Sequence, residues 1–250
     1  DGRKPQEFMD FMSLFNRAIA ALLMRYQKSG EVRLYHALDY HGALAPIYLE
    51  ARGHTPLMPV AMTLHNALYQ GSLLETLDAR SWRKIEASLQ LPNARFFCDF
   101  EGDFNMLYAG VNYIRHHQGG GLGPTGPAIT GVSHEYGKQV GQEIPLFKGV
   151  AVGGHPNPML EEKRPPLPDG GAEGGDGLLA YKAECKAATQ KQLGFDVDAS
   201  AVLISFVGRW ATEKGIDLIT EVAIWMLRTY ENVQVYVVGP PGDEAGHSIA

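Results

Sequence analysis

The chain has 250 residues, a formal net charge of −6 and 45% apolar residues. That apolar share suffices for a real core and excludes a globally disordered chain, and the acidic balance, with no basic run, argues against a nucleic-acid binder. No apolar stretch reaches the roughly 18 residues that a spanning helix needs. Its two cysteines, Cys98 and Cys185, lie far apart, which argues against a disulfide framework and for thiols in a reducing compartment. The sequence opens on Asp-Gly-Arg without a signal peptide and stops soon after the second strand of a new sheet. The expectation is a fragment of a larger protein.

Residues 7–27 are dense in Phe, Met, Leu and Ala and predict a mostly buried helix that closes near Lys28-Ser29-Gly30. Asp10, Arg17 and Arg25 interrupt the run, so a membrane reading fails. Residues 32–38 predict a strand, 43–51 a short helix ended by Arg52-Gly53, and 57–64 a second strand running into His65-Asn66. This β-α-β pattern puts Asp39 and His65 at the carboxyl ends of adjacent strands, on one rim. A metal site at His36, Asp39 and His41 has suitable residue types. Strand alternation turns His36 to the other face, however, and no further ligands gather around these three, so that reading is set aside.

Residues 79–91 predict a surface helix with Trp82, Ile85 and Leu89 as its apolar stripe, and 103–118 predict another. His116 and His117 close the latter, where cations complement the helix dipole. The run 119–126 contains Gly121, Gly123 and Gly126 at dinucleotide-fingerprint spacing. A helix precedes it and Pro124 breaks the required helix start, so it reads as a loop. Residues 128–132 predict a strand, and Ser133 is a good N-cap for a helix over 135–140. Residues 161–177, prolines and then glycines with acids, have linker composition.

Residues 178–193 predict a polar, Lys-rich helix ending at Gly194, and the six-residue apolar run 202–207 reads as a buried parallel strand. The run ends in Gly208-Arg209-Trp210, with Lys214 five residues after Arg209. Gly215 opens a helix with Ile216, Ile219, Ala223, Met226 and Tyr230 at helical spacing. The strand 233–238 follows and stops at Gly239-Pro240-Pro241. Arg209 offers a planar fork and Lys214 a point charge at the edge where open α/β sheets bind ligands, a pair suited to a diphosphate. By spacing alone the two read equally as solvated charges flanking a turn.

Three stretches carry a family resemblance. HALDYHGALAPIYLEARG (36–53) resembles the HxHDWHxxLAPxYL segment of starch and glycogen synthases, and MTLHNALYQG (62–71) their (F/Y)TxHNxxYQG segment. VGRWATEKGIDLI (207–219) resembles the strand, (G/S)R, spacer and KG(L/I/V)DL that open their C-terminal domain. The chain departs from the pattern with Tyr40 for Trp and Leu38 before the Asp. The runs 104–118 and 130–140, with Pro156-Asn157-Pro158, look closer to the cell-wall α-1,3-glucan synthases of fungi.

The resemblance implies an α/β fold of GT-B type, two Rossmann-like doubly wound domains. Residues 1–160 would be the acceptor-side domain, incomplete at its start, 161–177 the linker, and 178–250 the start of a truncated nucleotide-sugar-binding domain. It implies a retaining glucosyltransferase that moves glucose from a nucleotide-glucose to a growing α-glucan without a metal or other cofactor. UDP-glucose is the favoured donor, as in α-1,3-glucan synthases; ADP-glucose, as in starch synthases, is the alternative. Asp39 would lie in the catalytic cleft, His65 against the transferred glucose, and Arg209 and Lys214 on the donor diphosphate. His41, Asn66, Tyr69, Gln70 and Gly208 would line the substrates. The family's glycine-rich donor loop and its acidic E-x-x-G segment are expected outside these residues, so the piece alone should be inactive. The localisation implied is the cytosolic face of the plasma membrane within a larger membrane protein, with plastid or cytosol as alternatives. A non-catalytic glucan-binding relative is the reading from a different class. A dinucleotide oxidoreductase is disfavoured because no glycine-rich turn follows Leu38 or Val207.

Overall fold

Helix α1 (Pro5–Lys28) buries Phe8, Met9, Met12 and Ala20 on one side, so the dense apolar run does form a helix that lies on the core. The computed structural model describes residues 5–54, 57–72, 77–119, 122–123, 126–158 and 175–249. The chain divides into two units, with the boundary between residues 159 and 160. Residues 161–174 of the linker expected from composition fall outside the described residues.

The first unit is built on a four-stranded parallel sheet in the order β1-β2-β7-β8. Its strands are β1 (Tyr35–Leu38), β2 (Val60–Leu64), β7 (Ile129–Gly131) and β8 (Val152–Gly154). Alternation fixes the core face: Ala37, Val60, Met62, Leu64 and Ile129 are buried on it. On the other face, His36 Nε2 lies 2.8 Å from Thr63 Oγ1, and Thr63 Oγ1 lies 3.3 Å from Thr130 Oγ1. Both first strands start three residues later than the apolar pattern suggests. The Pro59 carbonyl accepts from Tyr35 N–H at 2.9 Å, but Pro59 has no N–H with which to extend the ladder backwards.

Helices α2 (Ala45–Ala51) and α3 (Ala79–Leu89) pack against α1, with Trp82, Ile85 and Leu89 buried as the stripe predicts. The helix expected over 103–118 begins later. After α4 (Ala94–Cys98) the chain makes a tight hairpin of β3 (Asp99–Phe100) and β4 (Asp103–Phe104). Its turn residues, Glu101 and Gly102, both have positive φ. Helix α5 (Met106–His117) follows, with Asn105 as its N-cap. A short pair, β5 (Leu122–Gly123) and β6 (Gly126–Pro127), precedes β7, and Ser133 caps α6 (His134–Glu143) as expected.

Strand β8 gives little strand signal because two of its three residues are glycine. Helix α6 lies almost on the sheet at this strand. A Cβ on Gly137 would stand 2.0 Å from the Gly153 carbonyl oxygen, and one on Gly154 would stand 2.3 Å from the Ser133 oxygen.

In the second unit, α7 (Gly175–Leu193) starts three residues before the position expected. Strands β9 (Val202–Val207) and β10 (Val233–Val238) pair in parallel, Val202 opposite Val233 and Val207 opposite Val238. Between them runs α8 (Ile216–Thr229), which buries Ile216 and Ala223 of the expected stripe; α9 (Glu244–Ile249) follows β10. Gln190 on α7, 1% exposed, donates to Asp198 O at 3.0 Å and to Gln234 Oε1 at 2.8 Å, tying that helix to β10. Among the described residues β9 pairs with β10 alone, and Val202 is 52% and Val207 74% exposed.

The glycine seam supports a stability test. Gly137→Ala is expected to destabilise the first unit by about 1–3 kcal/mol, the cost of forcing a methyl into close-packed backbone. Gly141→Ala, whose Cβ would meet Val152 at an ordinary 3.4 Å, is the near-neutral control. Urea unfolding of the two variants compares them directly.

Candidate active site

In a parallel sheet the carboxyl ends of the strands open onto one rim, and the loops leaving them carry unpaired backbone groups. Asp39 is the first residue past β1. Its N–H still donates to Thr63 O at 2.9 Å, continuing the ladder, but its φ of +48° turns the chain sharply. Asp tolerates that left-handed conformation better than most residues. The turn brings Oδ1 to the loop after β2, where it accepts from the backbone N–H of His65 at 2.8 Å and of Asn66 at 3.1 Å. Two of the residues expected to meet, Asp39 and His65, are therefore joined by a hydrogen bond, and Asn66 shares it. Oδ2 has no protein partner among the described residues. The His65 imidazole is exposed at the rim.

The rest of both loops is held by side chains that the sequence alone does not single out. Asn16, fully buried on α1, donates to His41 O at 2.9 Å and accepts from Leu44 N–H at 3.1 Å, so α1 fixes the turn after Asp39. An asparagine inside an apolar helix was the available signal. The Tyr136 hydroxyl on α6 accepts from Ala67 N–H at 2.8 Å. Asn105 caps α5 through Tyr108 N–H and also donates to Gln70 Oε1 at 2.7 Å. Gln70 thus uses its side-chain carbonyl to pin the loop to α5, while Tyr69 beside it is 58% exposed. Asn66 Oδ1 accepts from Leu68 N–H at 3.1 Å, a local turn of the kind Asn favours. The His41 ring is exposed and stacks on Tyr40 at 4.1 Å. Tyr40, where the family pattern has Trp, also packs over Gly71. A Cβ there would fall 2.7 Å from Tyr40 Cδ2.

His36 faces Thr63 rather than Asp39. Among the described residues no three His, Cys, Asp or Glu side chains converge where a metal ion could sit.

The second unit carries Gly208, Arg209 and Lys214 at the carboxyl end of β9. Two loops are laced together there: Gly208 N–H donates to Val238 O at 2.9 Å, Trp210 N–H to Pro240 O at 2.8 Å and Gly242 N–H to Trp210 O at 2.8 Å. The aliphatic part of Arg209 lies against Gly242, where a Cβ would come within 2.4 Å of Arg209 Cγ. The guanidinium pairs with Glu213, and Arg209 is 50% exposed. Lys214 ends a 3-10 turn (Thr212–Lys214) and is exposed. Asp243 holds that turn: Oδ2 accepts from Thr212 N–H at 2.7 Å and Oδ1 from Gly246 N–H at 2.8 Å. The Gly246 and Thr212 amides, and to a lesser degree the Arg209 charge, keep its carboxyl below the ordinary 3.8.

Two outcomes follow from these clamps. Asp39→Ala is expected to speed amide hydrogen exchange at His65 and Asn66, while Asp39→Asn, which keeps an acceptor oxygen, leaves it near the wild-type rate. The Asp243 clamp depends on the ionised form. A carboxyl with a depressed folded pKa contributes its stability above the ordinary range and loses it as pH falls through the lower folded value. Protection of the Thr212 and Gly246 amides is therefore expected to hold at pH 5 and to fall away only below pH 3.8, as measured by exchange across an acid series.

Comparison with known proteins follows the same lines. Residues 3–117 match the family described as the starch synthase catalytic domain. The cell wall alpha-1,3-glucan synthase mok11 of Schizosaccharomyces pombe is 36% identical over 239 residues, which are 94% of this chain and 9% of that protein. The glycogen synthase of Acidiphilium cryptum is 30% identical over 217 residues, 80% of this chain and 40% of that one. The chain thus spans under half the length of either relative. Among solved structures, the catalytic domain of starch synthase IV from Arabidopsis thaliana, bound to ADP and acarbose, aligns with a TM-score of 0.66 at 21% identity, covering 100% of this chain and 50% of that one. The fold is accordingly the α/β, GT-B architecture that the motifs imply. With motif order, sequence likeness and fold in agreement, the chain belongs to the starch and glycogen synthase family of glycosyltransferases.

Proposed function

We propose that the protein is a retaining glucosyltransferase that transfers glucose from a nucleotide-glucose to a growing α-glucan. The observation that carries the reading is the hydrogen bond from His65 N–H to Asp39 Oδ1, which gathers the two residues on one rim. In such a reaction the bond between glucose C1 and the diphosphate breaks, and a glucan hydroxyl takes its place at C1. The transition state carries positive charge on the sugar ring and growing negative charge on the leaving phosphate. Cations fixed in advance stabilise that charge without reorganising. Arg209 and Lys214 fill this role, and no metal or other cofactor is then needed. Asp39 offers Oδ2 to sugar hydroxyls or to the electron-poor ring, and His65 orients the glucose. His41, Asn66, Tyr69 and Gly208 line the substrates. Gln70 contributes by holding the loop that carries Asn66 and Tyr69.

The donor is UDP-glucose and the product α-1,3-linked. Support comes from likeness to the α-1,3-glucan synthases, at 34–36% identity over nearly the whole chain, against 28–30% for the glycogen synthases. The same likeness favours work at the cytosolic face of the plasma membrane.

The full-length protein, supplied in turn with UDP-glucose and ADP-glucose and an α-glucan primer, is expected to transfer from UDP-glucose. The product should resist an α-1,4-specific hydrolase and yield to an α-1,3-specific one. Transfer from ADP-glucose to an α-1,4 product would make it a starch synthase instead. Arg209→Ala and Lys214→Ala are each expected to lower kcat/KM by about 10²–10³-fold, the usual loss for a preorganised electrostatic group.

A further inference from the structure

Arg209 is already engaged. Its Nη2 meets Glu213 Oε1 four residues on, in an ion pair with side chains 50% and 33% exposed. Glu213 belongs to the same 3-10 turn as Lys214. A carboxylate therefore stands among the two cations assigned to the donor diphosphate. Asp243 also acts on Arg209, but its two oxygens are tied to the Thr212 and Gly246 amides and cannot swing. Glu213 sits on an exposed turn, beside the guanidinium that it pairs with.

An ion pair this exposed is weak, and a diphosphate offering two charge-assisted hydrogen bonds displaces it. The displaced carboxylate stays tethered beside the bound phosphates and repels them in proportion to their charge. The two ligands that must use this site differ in that respect. A nucleoside diphosphate has a free terminal phosphate and carries about one more negative charge at neutral pH than the nucleotide-glucose.

We propose that Glu213 is a resident competitor for Arg209 that weakens binding of the product nucleoside diphosphate more than binding of the nucleotide-glucose donor, and so favours product release. The proposal rests on the reading that Arg209 and Lys214 hold the donor diphosphate.

The test uses the full-length protein and two ligand pairs, UDP with UDP-glucose and ADP with ADP-glucose, titrated by calorimetry against wild type, Glu213→Gln and Arg209→Ala. For the pair that binds, Glu213→Gln is expected to tighten the free diphosphate about five-fold and the sugar ester no more than about two-fold, as expected for one partly screened charge. The melting temperature should be unchanged and product inhibition correspondingly stronger. A Glu213→Gln variant that tightens neither ligand, or both equally, overturns the inference. Arg209→Ala separates the two ways of failing. If it weakens both ligands while Glu213→Gln leaves their ratio alone, only the role of Glu213 is wrong. If it weakens neither, or if wild type binds neither pair, the diphosphate reading itself falls, and the inference with it.

Discussion

The first unit turns on one carboxylate. Parallel strands end at a rim where loop N–H groups have no ladder partner, and Asp39 answers two of them with a single oxygen, at His65 and Asn66. Hydrogen bonds to a charged acceptor are worth about 1.5–3 kcal/mol each, so the β1 and β2 loops act as one piece. Asn16, Tyr136 and Asn105 then fix the same loops at residues 41–44, 67 and 70. Each comes from a different helix, so the rim is braced from α1, α6 and the start of α5. A left-handed backbone at Asp39 is the conformational cost of reaching across.

The second unit meets the same problem with different means. Here the loops after β9 and β10 bond mainly to each other through the backbone, and glycines make the approach possible. A Cβ on Gly239 would overlap the Gly208 carbonyl, 1.7 Å away, and Gly239 has a φ of +156°. Asp243 closes the arrangement by capping the turn that ends in Lys214. The result is a guanidinium paired with Glu213 and an exposed ammonium at the end of one strand, on a backbone frame laced by its own hydrogen bonds.

Carboxylates serve the two rims in two ways. Asp39 and Asp243 are held by amides and act as struts, while Glu213 pairs with a side chain at the surface. A strut sets geometry; an exposed pair sets how readily a cation is released. That distinction separates residues of one chemical type that composition counts alike.

The sequence by itself determined the order of the main elements, the first β-α-β unit, the Ser133 cap and the rim position of Asp39 and His65. Periodicity and capping are local, and motif residues keep their spacing whatever surrounds them. It also revealed the family, because the matching segments come in the right order. Tertiary structure alone decided what depends on contacts between residues far apart in the chain. Pro59 shortens two strands at once, Gly153 and Gly154 form a strand by pairing with β7, and Asn16 reaches a loop 25 residues away. Gln70 is tied to the start of α5 only through Asn105, 35 residues on in the chain. Hydrogen-bond partners and burial are properties of what packs nearby, and no window of sequence contains them.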